Sequence, residues 1–263
     1  MTTYVISGKL GAGKTLAAVG KIREALNKGL RVATNLDLYP DKLVSIRNKS
    51  SRILRLPDHP QVDDFEALGY GSDSVDEDTH GYLVLDECAT WLNARQWGND
   101  GRKGTIDWLL HARKYRWHIV LIVQHPNLID KQVRESIVEL YGFVRRLDRI
   151  KLPWIGVRLP KVHVCAVKYG LEQGAVRAER WIYQAKDLYQ AYDTGQVFDP
   201  NYPHGLYTLL PPWYTHGRYL PPKRSVLRWL AIPVLLVCYF LVKWFDPVLF
   251  RSIQRRNKIL DVI

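Results

Sequence analysis

The chain has 263 residues, 47% of them hydrophobic and 24% charged, proportions that exclude an intrinsically disordered polypeptide and suffice for one large domain or two small ones. A formal net charge of +12 directs attention to acidic partners such as nucleic acid, nucleotide phosphates or an anionic membrane surface, with a merely solvated basic surface as the plain alternative. Cys88, Cys165 and Cys238 lie too far apart for a metal-ligand pattern, which predicts free thiols and no disulfide.

In chain order, Met1–Ser7 runs straight into a glycine loop, leaving no signal peptide to expect. Thr3–Ser7 reads as a short strand and Thr15–Asn27 as a helix, with Gly8-Lys9-Leu10-Gly11-Ala12-Gly13-Lys14-Thr15 between them. Leu30–Asn35 reads as a second strand, and Ser51–Leu56 contains strand fragments. From Pro57 to His80 there are eight acidic residues and no Lys or Arg, the composition of a solvated surface loop. Tyr82–Leu85 is an apolar strand ending in Asp86-Glu87. Helical pattern over Thr105–Lys114 leads into an apolar strand, His118–Val123, stopped by Gln124-His125-Pro126, and helical pattern resumes over Ile129–Val138. Short, continuously apolar strands alternating with helices predict a parallel sheet covered on both faces.

Beyond residue 140 the texture changes. Tyr141–Arg146, Lys161–Val167 and Arg180–Gln184 are β-type runs separated by Pro and Gly, which predicts an antiparallel extension on the sheet edge. Residues 141–190 hold ten Lys/Arg against four Asp/Glu, with Tyr141, Phe143, Trp154, Tyr169, Trp181 and Tyr183 among the interleaved aromatics. Such a segment could bind single-stranded nucleic acid, or its aromatics could simply be core. Residues 191–225, rich in Pro and aromatics, read as an extended linker. The uncharged run Trp229–Val242, flanked by Arg228 and Lys243, predicts a transmembrane helix over 226–245 when the flanking cations snorkel, followed by a short basic tail, 246–263. A buried helix of a soluble domain is the alternative.

The glycine loop is a full Walker A pattern placed between a strand and a helix, where phosphate binding requires it. Gly8, Gly11 and Gly13 let the backbone curl, and the cradle takes in Gly8, Gly11, Ala12, Gly13, Lys14, Thr15 and Leu16. Lys14 is placed to reach the β- and γ-phosphates of ATP and the Thr15 hydroxyl to hold Mg²⁺. Tyr82–Glu87 has the Walker B form: Asp86 as the metal carboxylate, Glu87 polarising the attacking water. Gln124, at the tip of the next apolar strand, is a candidate γ-phosphate sensor, so Glu87, Lys14 and Gln124 form the predicted catalytic set. Arg95, Arg102, Arg113, Arg116 and Arg134 follow Walker B, and nothing in the spacing selects one as a finger acting on a neighbouring subunit.

With GKLGAGKT, ATNLDL (Ala33–Leu38), VLDEC and HIVLIVQH in place, residues 1–190 resemble the zonula occludens toxin-like (Zot) family, which includes the inner-membrane assembly protein of filamentous bacteriophages. The resemblance implies a RecA-like additional-strand P-loop ATPase domain over 1–190 and one membrane span. It also implies a homo-oligomeric ring, a hexamer by class, working on phage coat proteins and single-stranded phage DNA at the host inner membrane. The ATPase domain is then cytoplasmic and the short tail periplasmic. Two other functions fit the motifs: a soluble packaging or conjugation-type translocase, and a nucleotide-dependent membrane scaffold with little turnover.

Overall fold

Every residue of Thr3–Ser7 (β1) is buried, as a central strand covered on both faces requires. The computed structural model describes residues 2–92, 100–149, 161–172 and 174–221. From β1 the chain enters α1 (Lys14–Asn27), then β2 (Val32–Thr34), α2 (Pro40–Leu43), β3 (Ile53–Arg55), α3 (Val62–Ala67), β4 (Gly81–Leu85), α4 (Cys88–Trp91), α5 (Asp100–His111) and β5 (Trp117–Ile122). It continues through α6 (Lys131–Ser136), β6 (Leu140–Arg146), β7 (Val162–Lys168), β8 (Arg177–Gln184), α7 (Ala185–Leu188) and β9 (Tyr207–Leu209).

These strands make one nine-stranded sheet in the order β8-β7-β6-β1-β5-β4-β2-β3-β9. The six strands from β6 to β3 are mutually parallel. Antiparallel β7 and β8 extend one edge and antiparallel β9 closes the other. One strand, β5, stands between β1 and β4, pairing Val5 with Leu121 on one side and Leu83 with Ile119 on the other.

The two faces carry separate cores. On one, α1 buries Leu16, Ala17, Val19, Ile22 and Leu26 against Ile6, Val84, Val120 and Ile122, and the core continues into Cys165, Val167, Trp181 and Tyr183 of the extension. On the other, Phe65 of α3 and Ile106, Trp108 and Leu109 of α5 cover Val5, Leu83, Leu85 and Leu121. Where α1 crosses β8 the contact is close: a Cβ added at Gly20 would stand 2.6 Å from the Tyr183 ring. The Tyr183 hydroxyl also donates to Glu24 at 2.8 Å.

Two sequence expectations differ from this fold. The acidic stretch, read as a solvated loop, contains α3 with Phe65 fully buried. Its first carboxylate, Asp58, is also buried, because it accepts a hydrogen bond from the buried Arg55 guanidinium at 2.6 Å. Residues 191–225, read as a linker outside the domain, contain β9, and the first compact unit runs from Met1 to Arg218. Side-chain bonds hold this segment: Gln196 donates to the Asn35 carbonyl and accepts from the Asp37 amide, and Asp58 accepts from the Asp199 amide. The positions of the expected membrane helix (226–245) and tail (246–263) fall in a second unit, Tyr219–Ile263, and lie outside the described residues, as does Cys238. Among the described residues, no helix is long and apolar enough to cross a membrane. Cys88 and Cys165 are free and buried.

Candidate active site

The loop after β1 is shaped by its glycines. Gly11 and Gly13 take φ values of +67° and +89°, in the left-handed region that disfavours side chains. Gly8 is needed for space, since a Cβ there would lie 2.9 Å from the Val144 carbonyl of β6. The Ala12 amide donates to the Lys9 carbonyl at 3.0 Å, tightening the curl. Gly13 is the N-cap of α1, whose first turn has neither a side-chain cap nor an acidic residue. The positive end of a fourteen-residue helix therefore meets the loop uncompensated, an arrangement suited to an anion.

Three side chains converge on this loop. The Lys14 ammonium donates to the Gly8 carbonyl at 3.2 Å, folding back across the curl. The Thr15 hydroxyl donates to Asp86 Oδ2 at 2.7 Å, across 71 residues of sequence and from the far side of β5. Asp86 Oδ1 accepts from the Glu87 amide at 2.7 Å. Burial pushes the Asp86 carboxyl up to about 6, against the Thr15 and Glu87 hydrogen bonds and the Lys14 charge, which lower it. A hydroxyl and a carboxylate oxygen in hydrogen-bond contact, both hard oxygen donors, form the set a Mg²⁺ ion favours. The loop and its neighbours thus fit a magnesium-bound nucleoside triphosphate.

Glu87 adopts φ +51°, ψ +33°, one of two non-glycine residues with positive φ among the described residues. The left-handed conformation costs a non-glycine residue about 1–2 kcal/mol, and such strain gathers at functional sites. Here it starts α4 directly after β4: Glu87 is the N-cap, and its carbonyl accepts from the Thr90 amide and hydroxyl. Its half-buried carboxylate takes no hydrogen bond or ion pair from the described residues.

The end of β4 is fixed by Asn35, just past β2 and fully buried. Its Oδ1 accepts from the Asp86 amide at 2.8 Å, and its Nδ2 donates to the carbonyls of Asp86 at 3.1 Å and Asp58 at 3.0 Å. Sequence reading gave Asn35 no role beyond its place in a motif. Its signal was a polar residue directly after an apolar strand.

Gln124 stands exposed two residues past β5, where the Val123 amide donates to the Ile6 carbonyl at the β1 tip. Its side chain makes no hydrogen bond to the described residues. Ala12 and Leu16 are buried where the loop enters α1. Of the arginines, Arg113 pairs with Glu77 and Arg134 with Asn127. Arg116 donates to the carbonyls of Ser72 and Asp73. These contacts hold surface loops and bring none of the three to the glycine loop. Arg95 and the Arg102 side chain lie outside the description.

A further arginine, not singled out from sequence, does reach the loop. Arg146, at the end of β6, is paired to Asp148 through two hydrogen bonds of 3.0 and 2.6 Å and donates to the Gly11 carbonyl at 3.4 Å. Opposite it in the β6–β7 register is His163, packed against Gly13. The period-two pattern of Val162–Lys168, which puts His163 on the face of Cys165 and Val167, was the available signal.

Residues 2–196 match the sequence profile described as Zonular occludens toxin (Zot). The Gene 1 protein of Enterobacteria phage fd is 47% identical over 234 residues, covering 84% of this chain and 67% of that protein. The Gene 1 protein of Escherichia phage If1 is 48% identical over 231 residues, covering 83% and 65%. Among solved structures, the N-terminal domain of zonular occludens toxin from Neisseria meningitidis is 19% identical, with a TM-score of 0.43, covering 73% of this chain and 98% of that one.

Proposed function

The chain belongs to the Zonular occludens toxin (Zot) family, and on that footing we propose that it is an ATP-hydrolysing motor that drives filamentous phage assembly and the extrusion of coated single-stranded DNA. The observation that carries the reading is the 2.7 Å hydrogen bond from Thr15 to Asp86, which joins the loop after β1 to the tip of β4 across an intervening strand. Relatives from phages, the Gene 1 proteins of fd and If1, support the assembly context.

Each residue has a separable task. Lys14 exchanges the Gly8 carbonyl for phosphate oxygens and offsets their charge. Thr15 and Asp86 would hold Mg²⁺. Glu87, whose carboxylate is not engaged by any described residue, orients a water and accepts its proton. Bound MgATP supplies the transferable γ-phosphoryl group. Asn35 keeps Asp86 in place by fixing the amide and carbonyl on either side of it.

The setting extends the proposal. The apolar run Trp229–Val242 between Arg228 and Lys243 supports a single span in the host inner membrane, with residues 1–218 in the cytoplasm, where ATP is. A homo-oligomeric ring is the form in which such a motor acts on coat proteins and DNA. The test is ATP turnover by the full chain with and without single-stranded DNA and coat protein. Stimulation by either supports a motor, whereas turnover that is absent or indifferent to both refutes it.

A further inference from the structure

His163 is 1% exposed, and neither ring nitrogen has a hydrogen-bond partner among the described residues. An imidazole buried in this way forfeits its hydration with nothing in return, and a leucine or phenylalanine there would avoid the cost. The ring sits at the glycine loop. A Cβ built at Gly13 would lie 2.2 Å from His163 Cδ2 and 2.6 Å from Nε2, so the Cδ2–Nε2 edge is turned toward the loop. The Tyr189 ring stands edge-on at 6.3 Å, and Arg146, across the strand pair, binds both Asp148 and the Gly11 carbonyl. Burial foremost, and Arg146 next, lower the affinity of the ring for a second proton, while Asp148 opposes them.

The arrangement has two consequences. Sterically, the ring fills the space beside Gly13 that any side chain at position 13 would need, and so braces the residue whose carbonyl accepts the first hydrogen bond of α1. Electrostatically, it holds an uncommitted nitrogen at the one loop in the described structure shaped for an anion. We propose that His163 is a positioning residue of the phosphate loop: its ring braces Gly13, and Nε2 gains its hydrogen-bond partner when a triphosphate occupies the loop. The extension formed by β7 and β8 thereby joins the nucleotide site. This rests on the reading of the loop as phosphate-binding.

The two halves of the proposal predict opposite signs for one substitution. In the full chain in mild detergent, His163→Leu removes an unpaired buried polar group, so its melting temperature without nucleotide equals or exceeds that of wild type. Its affinity for MgATP, and for magnesium tripolyphosphate, falls roughly ten- to a hundredfold, the scale of a lost hydrogen bond to a charged group. His163→Gln, which keeps a donor, binds within about threefold of wild type. Wild-type affinity in His163→Leu, a loss that merely tracks a lowered melting temperature, or a Gln variant as weak as Leu each overturns the proposal. If His163→Leu does not fold, the imidazole ¹⁵N shifts of wild-type His163 decide. A shift on adding magnesium tripolyphosphate supports the contact, and an unmoved signal refutes it. Lys14→Ala separates the two levels: retained ATP affinity there defeats the phosphate-loop reading itself, while loss there beside unchanged binding in His163→Leu defeats only the role of His163.

Discussion

Asn35 holds Asp86 by its main chain on both sides, taking the amide at 2.8 Å and giving to the carbonyl at 3.1 Å, beyond the point where β2 and β4 stop pairing. Asn35→Leu leaves that buried amide, that carbonyl and the Asp58 carbonyl without these bonds. At about 1–3 kcal/mol for each buried group left unsatisfied, stability should fall by about 3 kcal/mol or more in denaturant titration. Magnesium-dependent nucleotide affinity should fall with it, because Asp86 loses its registration on Thr15. A variant as stable as wild type would show that water replaces the amide.

Glu87 offers a test in which chemistry and backbone part company. Glu87→Gln keeps the side-chain volume and should retain ATP while turnover drops about 10²-fold or more, the scale of a lost general base. Glu87→Gly should lose turnover as well, yet fold at least as stably as wild type, since glycine accepts φ +51° without penalty. Single-turnover assays beside thermal melts distinguish the two. A destabilised Gly variant would mean that Glu87 makes contacts worth more than its strain.

Removing the metal or its ligands should silence turnover without unfolding the chain. EDTA, or Asp86→Ala, should abolish hydrolysis and leave the far-ultraviolet circular dichroism unchanged. Lys14→Ala should abolish nucleotide binding, measured by quenching or calorimetry. Turnover persisting in EDTA would exclude the Thr15–Asp86 pair as the magnesium site.

Arg55 and Asp58 make a buried ion pair at 2.6 Å, with Asp37 as the second carboxylate at 2.9 Å and the Tyr202 ring 4.8 Å from the guanidinium carbon. Asp58→Ala leaves the buried cation with only the partly exposed Asp37 and should cost about 3–5 kcal/mol. Asp37→Ala, whose carboxylate is partly exposed, should cost far less. Equal costs in urea titration would mean that the two carboxylates share the charge evenly.

Gly20 tests the seat of α1 on β8. Alanine normally gains about 1 kcal/mol over glycine in a helix interior, but here its Cβ meets the Tyr183 ring. Gly20→Ala should therefore destabilise wild type and stabilise a Tyr183→Leu background. A double-mutant cycle gives the sign directly, and stabilisation in both backgrounds would show that α1 shifts freely.

The parallel sheet was legible because its strands are short, apolar and punctuated by glycine and carboxylates. The glycine loop was legible because Gly11 and Gly13 do there what other residues cannot. What escaped reading depends on partners distant in sequence. Nothing local to Asp58 announces that Arg55 buries it, since the composition around it is that of a loop. Tyr207–Leu209 is too short for a periodic signal and becomes a strand only because β3 offers an edge. His163 lies in a run whose alternation suits any core residue, and only the approach of Gly13 gives it meaning. Gln124, read as a sensor, is exposed beside the β1 tip, and the sequence holds no distance by which to judge it.

The strand β9 pairs with β3 although about 150 residues separate them. At a synthesis rate of about 5–20 residues per second, β3 waits roughly 8–30 s on the ribosome as an open edge. During that interval any extended segment of a neighbouring nascent chain is a competitor for it. Its length of three residues limits how firmly a wrong strand can hold, and Pro211 and Pro212, directly behind the native partner, prevent the pairing from running on past its register. Birth order in this protein thus leaves the sheet unfinished until nearly the last of residues 1–218 have emerged.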